Sequence, residues 1–495
     1  MTLAWILFFI YLLATAWIGL LGQKKTSGFS SFAIGNKDVH PIFVGITLAS
    51  SVASASTFII NPGFIYVDGF SAWFHMVIGI TLGFTAMLYF LSFKFRRIGS
   101  ENQALTIPDW IGKRYQSKGY ALFFSVLNLL SFAFVVLLVG GISIVMQSLL
   151  GLSNSTSLII TLTFVTAYVF IGGTYAHIFT NVLQGILMIG VSILILSSCV
   201  YIFFTTPESI IDKLDSINPN LLSPINSEGR LFNDVFSIYI SGFIIGAVLV
   251  CQPHILTKAL YVKNDTQVKQ YLSVFTVIWI LFALLGTVGF FAHIVIPDDQ
   301  LIDSASGLFR QDLVMTVYLK TVFPDWVHTL ASIILIAAAM STLDGLLISI
   351  STITANDLIL NIFNKNKKLN HEENMKLALK SSHFVLVIIA VGAYLINLNP
   401  PKLLGIFGQI GVYGLTVAAA PALFFGIILK KPPLKLIWSS SILALLVHFG
   451  LYFFGNLIIP ASIISFVNPG VTAAIATIVS TTLVGIVVIS KRKKI

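Results

Sequence analysis

The chain has 495 residues, of which 57% are apolar and only 10% charged. A soluble fold of this size needs a charged surface that this composition lacks. A transmembrane barrel would need short alternating segments, whereas runs such as 181–204 and 470–490 are apolar all round.

The first apolar stretch, 2–21, has no charged leader and no small-residue cleavage site, and Lys24 and Lys25 follow it directly. It reads as a retained helix rather than a signal peptide. Further apolar segments predict thirteen transmembrane helices in all, near 3–22, 41–66, 70–94, 119–150, 155–175, 180–204, 233–256, 270–296, 327–361, 381–398, 402–429, 435–455 and 470–490. The chain is thus expected to be an all-α polytopic membrane protein. The long connection 205–232 is polar and rich in Pro and Asn, as befits a surface loop. The two cysteines, Cys199 and Cys251, lie in apolar runs, which speaks against a disulfide framework or a cysteine metal centre.

A net charge of +10 would suggest nucleic acid in a soluble protein. Here orientation explains it. Of 29 Lys and Arg residues, 24 fall in 23–40, 94–118, 257–269, 362–380, 430–435 and the tail 491–494. With thirteen helices these segments share one side, so the N-terminus is expected outside and the C-terminus in the cytoplasm of a cell (inner) membrane. Asp298, Asp299, Asp303, Asp312 and Asp325 gather in one outer loop and read as a solvated face. The expected partners are the lipid bilayer and a small solute, with no nucleic acid, and the expected unit is a monomer.

Two segments look irregular. In the second helix, the Ser/Ala/Thr-rich run from Gly45 to Thr57 is followed by Asn61-Pro62-Gly63. Hydroxyls there compete for backbone groups, and Pro62 removes a donor. Freed carbonyls at membrane depth are tolerated where they line a cavity or bind something; close packing through small residues is the other reading. In the ninth helix, Ser341, Thr342 and Asp344 sit within the otherwise apolar 330–353. Sodium is a hard cation that wants several oxygens, which these hydroxyls and the open carbonyls of the second helix can supply. Asp344 is costly in lipid and should face the protein interior, in either a structural or a functional role.

These residues resemble the sodium:solute symporters, a family that includes proline, pantothenate, sugar and sialic acid carriers. The resemblance runs from about residue 5 to 430. It rests on Ala338-Ala339-Met340-Ser341-Thr342-Leu343, Thr354-Ala355-Asn356-Asp357-Leu358, Gly172-Gly173 with Thr180-Asn181 and Gln184, Gln252-Pro253-His254-Ile255-Leu256, and Ala104-Leu105-Thr106-Ile107-Pro108-Asp109. It implies a LeuT-like five-plus-five inverted-repeat core. The repeats would occupy 41–204 and 233–429, joined by an extracellular loop at 205–232. A leading helix and inner loop (1–40) would precede them, and two trailing helices with a basic tail (430–495) would follow. The resemblance also implies one sodium ion held by carbonyls of Ser50, Ala53 and Ala338 and hydroxyls of Ser341 and Thr342. Two departures stand out: Val52 where proline carriers have an aspartate, and Asn181 where the family has an aspartate. They argue against a second sodium and leave proton coupling open, with Asp344 and Asn181 as the coupling candidates.

The solute is expected midway across the membrane, at Ser54, Ser56 and Thr57 of the second helix and Gly242, Gly246 and Gln252 of the seventh. No Lys or Arg falls deep in a predicted helix, so an anionic solute would rely on backbone donors, hydroxyls and the cation. A carboxylate such as pantothenate or a monocarboxylate is favoured over proline or a sugar. His75, His177, His293 and His448 read as interfacial side chains, with no metal-ligand spacing among them. An enzyme would need converging acid, base or metal groups, and a channel would need repeated filter residues; neither pattern is visible. A sensor on the same scaffold would carry a signalling domain, and none precedes Lys494-Ile495.

Overall fold

Segments apolar all round have no face to offer water, and at membrane depth each must satisfy its own backbone, so they become helices. The computed structural model describes residues 2–54, 56–206, 209–302, 309–360, 370–401, 404–460, 462 and 464–492. Asp303, Lys365, Lys367, Lys368, Lys402 and the tail lysines Lys493 and Lys494 lie outside them. Among the described residues ten helices are long and apolar enough to cross a membrane, and two bent pairs raise the number to twelve. One of the ten, Asn154–Thr205, has 52 residues, about 78 Å of helix against the ~30 Å of hydrocarbon. Inside it Gly173 adopts φ 51° and ψ −137°, which no helix contains and which favours a residue without a Cβ. Divided there, it covers the 155–175 and 180–204 segments that the sequence separates.

The Pro41–Val52 helix ends at Ala53 (φ −77°, ψ 81°). The chain resumes as a wide π turn at Ser56–Ile60 and the Asn61–Asp68 helix, bent by 53°. The break therefore lies in the Ser/Ala run and not at Pro62. That proline falls where the wide turn has already disturbed the hydrogen-bond ladder, so its missing N–H is tolerated. The second broken helix, Phe236–Leu249, turns by 63° into Pro253–Tyr261. The half-helix beyond this turn runs through residues that the sequence assigns to an inner basic loop.

The Asp325–Ile353 helix forms the centre of the bundle, buried along almost its whole length. It packs on Pro41–Val52, Phe132–Leu150 and Asn154–Thr205. The Leu434–Ile458 helix attaches to the bundle through Ser441 Oγ on Ala418 O (2.8 Å), and the Pro469–Arg492 helix is tied to it by Thr472 Oγ1 and His448 Nδ1, 3.0 Å apart. On the face carrying the basic loops, Arg96 and Arg97 both grip Asp265.

Gly242 and Gly246 set the approach of the Ser241–Leu249 helix to the helix running through His75 and Ile80. A Cβ on Gly242 would stand 2.9 Å from the His75 carbonyl, and one on Gly246 2.2 Å from that of Ile80. Both glycines are thus taken up by helix packing of the small-residue kind. Gly83 faces the same crossing, where a Cβ would stand 1.9 Å from the Phe243 carbonyl, whereas nothing lies within 4 Å of a Cβ on Gly190. Gly83→Ala is expected to destabilise the protein by about 1–3 kcal/mol through overpacking, while Gly190→Ala should leave it unchanged or slightly raise stability. Thermal unfolding of the purified variants in detergent checks both.

Candidate functional site

The two breaks bring unsatisfied backbone to the central helix. Ser341 Oγ donates to Ser50 O at 2.7 Å while also within 2.7 Å of Ala338 O in its own helix. Thr342 Oγ1 donates to Ser51 O at 2.9 Å. The last carbonyls before the break are thus held by two adjacent hydroxyls from a helix almost three hundred residues away in sequence. Asn181 crosses the same gap: its Nδ2 donates to Ser341 O at 2.7 Å and to Ser51 Oγ at 2.9 Å. Its Oδ1 is buried with no partner among the described residues. An oxygen-rich pocket with a spare buried acceptor fits a small hard cation by donor chemistry.

Beside it Asp344 is fully buried and satisfied. Tyr168 Oη reaches Oδ2 at 3.0 Å, Thr180 Oγ1 the same oxygen at 3.3 Å, and His177 Nδ1 reaches Oδ1 at 2.8 Å. His177 is therefore no interfacial side chain in a short loop. It lies deep in Asn154–Thr205, past the Gly173 kink.

A cavity of about 950 Å³, counting the open solvent it includes, lies beside the breaks. It extends from Leu231, Phe232 and Asn468, on the side of the 205–232 loop, to Ser51, Gln252 and His254 at the breaks. Aromatic and aliphatic walls, including Phe84, Phe134, Trp279 and Tyr413, enclose a few polar groups, the usual make-up of a small-molecule site. Gln252 Oε1 is buried there without a partner while its Nε2 donates to Leu249 O at 3.1 Å. A smaller crevice of about 350 Å³ lies nearer the basic face, lined by Leu105, Thr106, His177, Tyr261 and Thr352. His254 borders both spaces.

Of the residues expected at the site, Ser50, Ala338, Ser341, Thr342, Asn181 and Asp344 come together, and Ala53 caps the helix end beside them. Ser54, Ser56, Thr57 and Gln252 line the cavity. Gly242 and Gly246 do not line it, being packed against a neighbouring helix. Ser51, His75, Gln409 and Tyr413 line the cavity as well, a placement that no local sequence signal marks. His75 is buried with Nδ1 2.7 Å from Ser237 O, not at an interface. Lys258 overturns the expectation of no deep cation: it is fully buried, its Nζ 2.7 Å from His254 O and 3.2 Å from Ser51 Oγ.

Known proteins match this arrangement. The model of the sodium:solute symporter family matches residues 32–433. A sodium/pantothenate symporter of Haemophilus influenzae is 27% identical over 430 residues, covering 85% of this chain and 84% of its own. A sodium/proline symporter of Escherichia coli is 25% identical over 439 residues, with 86% and 82% covered. Among solved structures, a sodium-coupled sialic acid symporter in a substrate-bound outward-open state superposes with a TM-score of 0.77 at 15% identity, covering 97% of this chain and 96% of its own. At that identity the likeness is one of fold.

The Asp344 cluster makes a stability prediction. Oδ1 of Asp344 is held by His177, whereas Oδ2 keeps Thr180 when Tyr168 is changed, and a buried acceptor left unsatisfied costs about 1–3 kcal/mol, more where it is charged. His177→Leu should therefore lower the melting temperature in detergent clearly more than Tyr168→Phe, which removes one hydroxyl of the set. Equal melting temperatures for the two variants would contradict this reading of the cluster.

Proposed function

The chain belongs to the sodium:solute symporter family, and from that premise we propose that it carries a small organic carboxylate together with one sodium ion by alternating access. The observation that carries this reading is the seam between the broken second helix and the central helix. Ser341 and Thr342 hydroxyls lie on the Ser50 and Ser51 carbonyls, at the end of a solute-sized cavity. Sodium would be held there by the carbonyls of Ser50, Ala53 and Ala338 and the two hydroxyls, as substrate rather than as a resident cofactor. The solute would lie in the cavity against Ser54, Ser56, Thr57 and Gln252. A carboxylate is supported by the relative named for pantothenate.

The coupling follows from the seam. Two helices that an ion bridges are held in one relative position, so sodium favours the arrangement in which both face it. Its influence on transport equals its differential affinity for the two arrangements and no more. Solute binding at Ser54, Ser56 and Thr57 acts on the same broken helix, only a few residues beyond the carbonyls that hold the ion. The alternative, a proton-coupled carrier on the same fold, would give Asp344 the coupling role.

The basic loops support an N-terminus outside and a C-terminus in the cytoplasm of the cell membrane. In intact cells a membrane-impermeant thiol reagent should label Ser227→Cys, on the exposed 205–232 loop, and spare Lys430→Cys until the cells are opened. The reverse pattern would invert the topology.

Uptake into proteoliposomes tests the coupling. An imposed sodium gradient should drive accumulation of a member of a panel of pantothenate, acetate, lactate, pyruvate, proline, glucose and sialic acid. Ser341→Ala and Thr342→Ala should each raise the sodium concentration for half-maximal uptake by about tenfold or more, corresponding to ~1.4 kcal/mol of lost ion binding. Accumulation driven by a proton gradient alone, and unaffected by both variants, would sink the sodium reading.

A further inference from the structure

Among the described residues, the cavity wall carries no carboxylate, lysine or arginine. One cation nevertheless lies just behind it. Lys258 sits one turn past His254 on the second half of the broken helix, with 0% of its surface exposed. Its Nζ donates to His254 O and to Ser51 Oγ, and both residues line the cavity. The Ser51 hydroxyl accepts a second hydrogen bond from Asn181 Nδ2 at 2.9 Å.

A hydroxyl oxygen has two lone pairs and one hydrogen. Lys258 and Asn181 take both lone pairs of Ser51. Its own hydrogen must then point away from both, and among the described residues it has no acceptor. Ser51 is buried and borders the cavity. A donor backed by an ammonium group is polarised toward its acceptor and stronger for it. The carbonyl of the same residue receives Thr342 Oγ1 at 2.9 Å, so Ser51 joins the cation seam to the solute space.

Charge balance points the same way. The other buried charges lie elsewhere: Asp68 ends its helix beside the 205–232 loop with its carbonyl on Asn226, Arg96 pairs with Asp265, and Asp357 receives Thr106 Oγ1 at 2.6 Å. Beside the breaks stand Asp344, hydrogen-bonded to His177, and Lys258, which as carboxylate and ammonium carry opposite charges. Sodium adds a positive charge to a balanced pair, and a buried net charge is costly. A monoanionic solute restores neutrality, whereas a sugar or a zwitterion does not.

We propose that Lys258, acting through the Ser51 hydroxyl, is the positioning residue that makes this cavity select a monoanionic solute. The inference rests on the sodium seam and the cavity assigned above. It also explains how an uncharged wall can distinguish a carboxylate from its neutral analogue.

The test uses the full-length protein in proteoliposomes under a sodium gradient, with pantothenate, lactate and pyruvate as probes and the carboxamide of each as competitor. The wild type should take up one of the acids and discriminate strongly against its amide. Lys258→Met and Ser51→Ala should raise the KM for the acid about tenfold to a hundredfold, the loss expected for a hydrogen bond to a charged group, and shrink the acid-to-amide discrimination by the same factor. Lys258→Arg should restore part of that discrimination, which a purely structural role would not produce. If Lys258→Met does not yield a monodisperse protein, Ser51→Ala and Lys258→Arg decide the matter. Unchanged discrimination in the folded variants would overturn the inference while leaving sodium symport intact. Wild-type uptake of proline but of none of the acids would overturn it too. Absence of sodium drive in the wild type, or an unchanged half-maximal sodium concentration in Ser341→Ala, would instead refute the seam on which it rests.

Discussion

A helix interrupted at membrane depth must find partners for the carbonyls it frees, because lipid supplies none. Everything distinctive in this protein follows from how that demand is met. The Pro41–Val52 helix stops in mid-membrane, and its last carbonyls are taken by Ser341 and Thr342 of the central helix. Satisfying backbone with side-chain hydroxyls leaves oxygens clustered and weakly committed, since a hydroxyl can turn from donor to ligand with little movement. A continuous helix would have locked the same carbonyls into its ladder. The break thus turns structural necessity into a place where a cation can compete.

The second broken helix meets the first at the same depth and adds charge. Its turn at Val250–Gln252 sends the following half-helix back beneath the cavity, carrying His254 and Lys258 with it. Asp344, held by Tyr168, His177 and Thr180, faces the same region from the central helix. Asn181 and Ser51 stand between, with hydrogen bonds to the hydroxyl seam on one side and to Lys258 on the other. In the proposed scheme a change in ion occupancy at Ser341 would be felt two hydrogen bonds away, through Asn181, at Ser51 on the cavity wall. Such short connections are what coupling requires, because each ligand must alter the energy of an arrangement that the other also prefers.

What could be read from the sequence, and what could not, divides along physical lines. Hydroxyls in an otherwise apolar helix are conspicuous, so Ser341, Thr342 and the Ser/Ala run before Ser56 stood out. Their pairing with Ser50 needed the family resemblance, since nothing local joins positions so distant in the chain. Pro62 misled because a proline marks a break only where the ladder is otherwise intact, and here a π turn precedes it. Gly242 and Gly246 looked like a ligand surface but serve helix contact, and sequence alone cannot tell these uses of glycine apart. Lys258 was hidden by charge counting. A lysine just past an apolar segment reads as a loop residue, and only the 63° turn of the chain puts it inside. His177 was missed for a related reason, as the Gly173 kink made the residues after it look like a connection.

The two faces of the bundle are unequal, and the inequality bears on how it would rock. The larger cavity reaches Leu231 and Phe232 of the 205–232 loop. The basic face is closed by ties that cross between elements: Arg96 and Arg97 on Asp265, Arg114 on the Gly426 and Leu429 carbonyls, and Thr106 on Asp357. Exposed ion pairs contribute little on their own, but half-buried, hydrogen-bonded ones such as Arg96 with Asp265 hold geometry better. Opening this face means parting several of them together, and partial opening would lose their energy without giving a continuous path. The smaller crevice already reaches His177 and shares His254 with the cavity above. The partition between the two spaces is thus one side chain thick at that point. Movement of the Pro253–Tyr261 half-helix would shift His254 and Lys258 as a unit, moving the wall of the cavity and the charge behind it in one displacement.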